Sequence, residues 1–400
     1  QAITYLTEKL RGFSEDNPLE GFWQNLCSWL LTEKRQDFFN SPAFKGLNHE
    51  NISLNLGEDL IKSLYGAELK GSVSRLETFM SCPFKFFMQY GLGLKKRDVY
   101  QVDAPLKGSF YHFVLNELVK AIQEGGRSWR DMDDEELIQM IEEISTETLL
   151  TMGEGVFLQT SSYQYWAEIM KKNLETAVSI LTTHIREGEF MPIATELTFP
   201  PKKDDSTMEI CLDGNKKLKL RGQIDRIDGA EIDGQNFIRV IDYKSSSRDL
   251  DLAEVFYGLS LQLPVYLKIA LEIFKEDEIK GAGMFYFPIK NPIISAKNPL
   301  TEEKVRHEIF KEMRMMGRML ANPKIAAAMG VKPGKPPLFN VRVKNDGDFY
   351  KGTKVLTEQE LSELGEFVWR KLAAIGEDIY AGRTEIAPYR LGKKNPCVYC

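Results

Sequence analysis

The stretch from about residue 190 to 290 constrains the fold most. Three extended runs, "PIATELTFP" (192–200), "KKLKLRGQIDRIDG" (216–229) and "NFIRVIDYKS" (236–245), are rich in β-branched residues and separated by Asp, Gly and Asn turns. "EVFYGLSLQLPVYLKIALEIF" (254–274) then changes to a helical spacing of apolar residues, and "GAGMFYFPI" (281–289) returns to a strand. Strand, strand, strand, helix, strand predicts an α/β core with a mixed sheet.

Long helices are expected around that core. "GSFYHFVLNELVKAIQEGG" (108–126) reads as a helix started after Gly108 and closed by Gly125-Gly126. The acidic "DMDDEELIQMIEEIS" reads as a solvated helix, and the helical pattern runs on to about residue 187. Residues 301–330 and 357–381 are predicted helical as well. In "SVSRLETFMSCPFKFFMQYGLGL" (72–94), Ser74 with Glu77 three residues on suggests a capping box, and Pro83 interrupts that helix after Cys82. Residues 1 to about 70 look helical and mixed, with "NISLNLGEDLIKSLYG" an extended piece and a short helix. They carry no catalytic pattern and read as the tail of a preceding domain.

The chemistry concentrates in "VIDYKSS" (240–246). Residues two apart on a strand share a face, so Asp242 and Lys244 project together beside the buried-strand pattern of Val240 and Ile241. An acid and a lysine near a core need a partner or a ligand. "GQIDRID" (222–228) supplies Asp225 where the apolar pattern breaks. If the two strands are neighbours, Asp225 and Asp242 could share a hard cation such as Mg2+ or Mn2+. With Lys244 beside it, that would suit phosphodiester hydrolysis. The other reading stays open, since an Asp-x-Lys pair is most often a weak surface ion pair. His112 lies on the helix beside apolar positions, where a lone His is more often a satisfied core residue than a ligand, and Glu196 in "ATELTF" is a further acid of similar ambiguity.

The bulk numbers exclude some classes. A formal charge of −6 gives no global basic signature for nucleic acid, although a local basic channel is compatible with it. No apolar run reaches the roughly 18–20 residues of a membrane span. Five cysteines, Cys27, Cys82, Cys211, Cys397 and Cys400, are too few and odd in number for a secreted disulfide framework. A cytoplasmic fragment of a longer protein is the expectation.

Taken in order, "SVSRLETFMSCPFKFFMQYGLGL", "KGSFYHFVLNEL", "GQIDRID", "VIDYKSS" and "GLSLQLPVYL" resemble the RecB-type nuclease domain of the PD-(D/E)XK superfamily, as found in the carboxy-terminal part of AddB subunits of bacterial AddAB helicase–nucleases. The resemblance covers about residues 60–400. It implies a restriction-endonuclease-like mixed sheet with extensive helical elaborations, and a boundary with residues 1–70 as the tail of a helicase-like domain and 71–400 as the nuclease domain. It also implies a metal-dependent centre of His112, Asp225, Asp242 and Lys244, the first three as metal ligands, bordered by Gln262 and Tyr266. Spacing i to i+4 places the last two on one helix face.

The same resemblance implies a [4Fe–4S] cluster joining the ends of the domain, with Cys82, Cys397 and Cys400 as ligands and a fourth cysteine expected beyond the end of the chain. Cys82 and Cys397 stand 315 positions apart, and thiolates at four such positions suit iron–sulfur or, less often, zinc. Cys27 and Cys211 match no ligand. The activity implied is a Mg2+-dependent DNA exonuclease acting on the 5′-ended strand during resection of double-strand breaks. Its expected partners are single-stranded DNA threaded from a duplex end and, in a heterodimer, an AddA-type helicase–nuclease subunit; no membrane contact is expected. "LKKRD" and "YRLGKK" are candidate backbone contacts or plain solvated surface. Two rivals remain: a DNA-binding scaffold with a decayed centre, and a redox or zinc protein built on Cys397-x-x-Cys400.

Overall fold

A computed structural model describes residues 2–13, 18–32, 42–47, 55–66, 68–95, 97, 101–200, 208–275, 278–296, 298–333, 338–392 and 394–399. The chain divides into two compact units, residues 1–54 and 55–400. The first contains α1 (Ala2–Arg11), α2 (Gly21–Thr32) and α3 (Pro42–Leu47), with Leu6 and Leu30 buried among Leu10, Trp23, Leu26, Cys27 and Phe44. Of the region expected to be helical and mixed, residues 33–41 lie outside the described residues, as does the start of the expected extended piece, 51–54.

The second unit begins earlier than residue 71. It includes α4 (Glu58–Tyr65) and β1 (Glu68–Gly71), which joins β4 (Lys217–Leu220) in parallel, with β3 (Glu209–Cys211) antiparallel on the other side of β4. Then follow α5 (Val73–Ser81), α6 (Pro83–Phe86), α7 (Ala104–Glu124), α8 (Asp134–Thr151) and α9 (Ser161–Glu187). α7 starts four residues before Gly108, because the Asp103 side chain accepts from Leu106 N and Pro105 occupies the first turn.

The main sheet has six strands in the order β2 (Met191–Phe199), β5 (Gly222–Ile232), β6 (Gln235–Lys244), β7 (Lys280–Pro288), β8 (Met316–Leu320) and β9 (Val355–Leu356). β2, β5 and β6 are antiparallel neighbours, whereas β6 and β7 run parallel. A parallel pair needs a crossover, here α10 (Leu252–Phe256) and α11 (Gln262–Ile273). Further α-helices among the described residues are α12 (Glu302–Met313), α13 (Pro323–Ala328) and α14 (Glu358–Tyr380).

Alternation along the central strands divides the interior into two cores. Ile241, Tyr243, Phe285 and Phe287 face the layer of α7, α8 and α9. Ile238, Val240, Met284 and Tyr286 face α5, α11 and α14. Asp242 and Lys244 share the parity of Val240, so they emerge on the α11 side as that strand ends.

Several local expectations change. The single run 216–229 is two strands in different sheets, β4 and β5, separated at Arg221. The helix expected over 254–274 breaks at 257–261, where Gly258 has φ +77°. Within 301–330 lies β8, which pairs with β7 so closely that a Cβ on Gly317 would stand 2.0 Å from Met284 O. Ser72, not Ser74, caps α5: Arg75 N donates to its Oγ at 3.3 Å, and Glu77 takes no part in a capping box.

Candidate active site

Asp225 and Asp242 do sit on neighbouring strands. The ladder between β5 and β6 is regular from Arg226, paired with Ile241, onward. At Asp225 the side chain takes over, its Oδ2 accepting from Tyr243 N at 2.7 Å. Asp242 is 1% exposed and ion-paired to Lys244 Nζ, while its Oδ1 has no hydrogen-bond partner. Burial, then the Asp225 charge, pushes the Asp242 carboxyl up to about 7 against the pull of Lys244.

His112 reaches this point from α7, its ring edge-on to Tyr243 at 5.7 Å. Its Nδ1 lies 3.3 Å from Asp225 Oδ1 and 3.6 Å from Glu196 Oε1. Burial opposes charge on the imidazole, but the two carboxylates overrule it and hold His112 up to about 10. Glu196 stands between Thr195 and Leu197, which pair with Arg226 and Ile224, so it sits across from Asp225. Its φ of +48° is unusual for a residue with a side chain, and such conformations collect at functional sites.

The residues fit a cation on two counts. His112, Glu196 and Asp225 each offer a ligand atom, all within 4.8 Å of one another. Glu196 Oε1 and Asp242 Oδ1 are buried with no hydrogen-bond partner, which leaves acceptor capacity that a bound cation would use. Two carboxylate oxygens with an imidazole nitrogen suit a divalent cation. The sequence left Glu196 ambiguous. The available signal was one charged residue centred in the otherwise uncharged strand "MPIATELTF".

Gln262 and Tyr266 share a face of α11 and extend the set. Lys244 Nζ donates to Gln262 Oε1 at 3.1 Å, and Gln262 Nε2 lies 3.1 Å from Tyr266 OH. Lys244 is thereby held between Asp242 and Gln262. A groove of about 750 Å3, lined by Ser109, His112, Phe113, Asn116, Glu196 and Gln223 among others, opens onto the donor set, and Phe113 is 45% exposed there.

The family follows from comparison with known proteins. The model of the PD-(D/E)XK nuclease superfamily matches residues 70–400. The chain belongs to the PD-(D/E)XK nuclease superfamily. Curated relatives named as the B-type subunit of ATP-dependent helicase/deoxyribonuclease include those of Desulforamulus reducens, 32% identical over 100% of the chain and 35% of the relative, and Caldanaerobacter subterraneus subsp. tengcongensis, 34% identical over 98% of the chain and 34% of the relative. That of Moorella thermoacetica is 33% identical over 96% of the chain and 34% of the relative. The chain thus spans about a third of the length of these relatives.

The cysteines of this superfamily member lie in different segments. Cys82 is buried, and the segment after α14 runs beside it: Phe84 N donates to Glu385 O at 3.1 Å and Tyr389 N to Ser81 O at 3.0 Å. Cys397 is exposed, and Cys400 lies outside the described residues. Cys27 packs in the first unit and Cys211 is exposed. Of the basic segments, Lys394 is ion-paired with Glu254, whereas Lys96, Asp98 and Lys393 lie outside the described residues. No helix among the described residues is long and apolar enough to cross a membrane.

Proposed function

We propose that the chain is the metal-dependent exonuclease domain of a cytoplasmic helicase–nuclease, hydrolysing phosphodiesters of DNA, in the strand ending 5′, at processed double-strand breaks. The observation that carries this reading is the buried Asp242, paired with Lys244 and flanked by the donors His112, Glu196 and Asp225. His112, Glu196, Asp225 and Asp242 would hold Mg2+, which when bound polarises a phosphate and acidifies water.

The chain's own groups do the rest. Lys244 Nζ, fixed by Asp242 and Gln262, sets a positive charge where negative charge develops on the phosphate and orients the attacking water. Tyr266 holds the Gln262 amide, so that Lys244 meets its carbonyl oxygen. The groove at His112, with the exposed Phe113, suits a single strand stacking a base on a phenyl ring. Relatives named as one subunit of a helicase/deoxyribonuclease motivate a heterodimer with an AddA-type helicase–nuclease subunit that threads the strand.

A [4Fe–4S] cluster on Cys82, Cys397, Cys400 and a fourth thiolate belongs to the same reading. Its support is the pairing of the carboxy-terminal segment with Ser81 and Phe84 on either side of Cys82. Bound there, it would clasp the two ends of the domain.

The test is Asp242→Ala in the full-length protein. Loss of Mg2+-dependent degradation of single-stranded DNA, with folding intact, is expected; undiminished degradation refutes the assignment.

A further inference from the structure

Glu77 is free of the capping role its spacing suggests and does something else. Its Oε1 accepts from Leu261 N at 2.6 Å and from Gln262 N at 3.1 Å, across 184 and 185 positions of sequence. These amides belong to the first turn of α11. A helix start leaves its first amides without partners in the helix, and Leu261, as the N-cap residue, has no side chain that can accept them. Glu77 supplies the missing acceptor from another element, and its charge stands at the positive end of the α11 dipole.

α5 also grips the loop that leads into α11. Gly258 lies so close to it that a Cβ there would stand 2.8 Å from Met80 Cγ. Behind the turn, Arg248 Nη2 donates to Ser260 Oγ at 3.4 Å. The outcome is that Gln262, the first residue of α11 and the one whose side chain meets Lys244, has its backbone fixed by Glu77.

We infer that Glu77 is a positioning residue of the nuclease centre, capping α11 from α5 and thereby holding Gln262 Oε1 against Lys244 Nζ. The inference rests on the proposed function, in which Lys244 serves the reaction. It predicts a particular pattern of damage. Tyr266, one turn further on, keeps its helical backbone without the cap. His112, Glu196, Asp225 and Asp242 come from α7, β2, β5 and β6, whereas the Glu77 carboxylate spends its bonds on the α11 amides. Loss of the carboxylate therefore weakens the fixing of Lys244 and leaves the metal donors in place.

The experiment uses the full-length protein degrading single-stranded DNA, with Mg2+ binding followed separately by calorimetry. Glu77→Ala is expected to lower kcat about tenfold to a hundredfold, as a small misplacement of a reacting group does. KM and Mg2+ affinity should stay within about twofold of the wild type. Glu77→Gln, which keeps an acceptor oxygen, should restore most of the rate. The double variant Glu77→Ala with Gln262→Ala should be no slower than Gln262→Ala alone, because both act on one contact.

If circular dichroism shows Glu77→Ala unfolded, Glu77→Asp makes the same test, being one methylene too short to serve both amides. Additive losses in the double variant, or full activity of a folded Glu77→Ala while Lys244→Ala is inactive, overturn the inference by itself. Full activity of Lys244→Ala overturns the functional reading beneath it.

Discussion

Asp228→Asn should cost this fold more than any other conservative change near the site. Asp228, Arg226 and Arg239 are all 0% exposed. One carboxylate serves two guanidiniums: Arg226 donates through Nε at 2.5 Å and Nη2 at 3.1 Å, and Arg239 through Nε at 3.0 Å and Nη2 at 2.7 Å. Aromatic rings close the cluster, with Trp129 5.3 Å from Arg226 and Phe190 5.1 Å from Arg239. Burial alone would raise the Asp228 carboxyl, yet the two guanidiniums hold it below its ordinary range.

Breaking one buried pair costs about 3–5 kcal/mol because an unpaired charge is left in the interior. Here two are left, so the loss should lie at or above about 5 kcal/mol, a large share of a typical 5–15 kcal/mol. Replacing all three by apolar residues of similar volume, Arg226→Met with Asp228→Leu and Arg239→Met, removes the desolvation cost together with the attraction. That variant should fall within about 2 kcal/mol of the wild type. Urea unfolding followed by circular dichroism decides it. With an m-value of about 3 kcal/mol per M, the single variant should lower the midpoint by roughly 1.7 M. A single variant within about 1 kcal/mol of wild type, or a triple variant as damaged as the single, refutes the reasoning.

Other outcomes follow from the same physical chemistry. Glu196→Gln should weaken Mg2+ binding about tenfold or more by calorimetry, since it neutralises one of the four proposed donors, His112, Glu196, Asp225 and Asp242. Lys244→Ala should lower kcat on single-stranded DNA by about 10²–10³, the usual cost of losing one charge-stabilising group, with Mg2+ affinity little changed. His184 is buried, with neither ring nitrogen hydrogen-bonded, and burial followed by the charges of Arg239 and Arg226 holds its pKa well below the ordinary value. The unfolded chain takes up that proton below about pH 6.5 and the folded chain does not, so stability is full above that pH and falls by about 1.4 kcal/mol per unit below it. In His184→Phe, unfolding experiments between pH 7 and 5 should show that slope reduced. Full-length protein made without oxygen should bind iron and absorb visible light, and Cys82→Ser should abolish both; a colourless, zinc-loaded preparation would count against the cluster.

Much of the site was legible because strand and helix periods are local. Asp242 and Lys244 had to share a face once residues 236–245 formed a strand, and Gln262 and Tyr266 once 262–266 formed a helix. Other features were hidden for equally physical reasons. β8 carries "MGRML", with no β-branched residue, and forms because Gly317 lets it approach β7 closely. The Ser74–Glu77 spacing matched a capping box, but Ser72 stands at the true start of α5, and that frees Glu77.

The sequence by itself determined the alternation of strands and helices, the family, and the chemical types available: acid, lysine, histidine, amide and thiol. Spacing along a chain reports which side chains share a face of one element, and nothing about which faces meet. Only the tertiary structure decided that Glu196 crosses to Asp225, that His112 comes from one helical layer while Gln262 comes from the other, and that Glu77 caps a helix 184 positions away. Those pairings exist because the six-stranded sheet is covered on both faces, so groups from each layer can reach the ends of its strands.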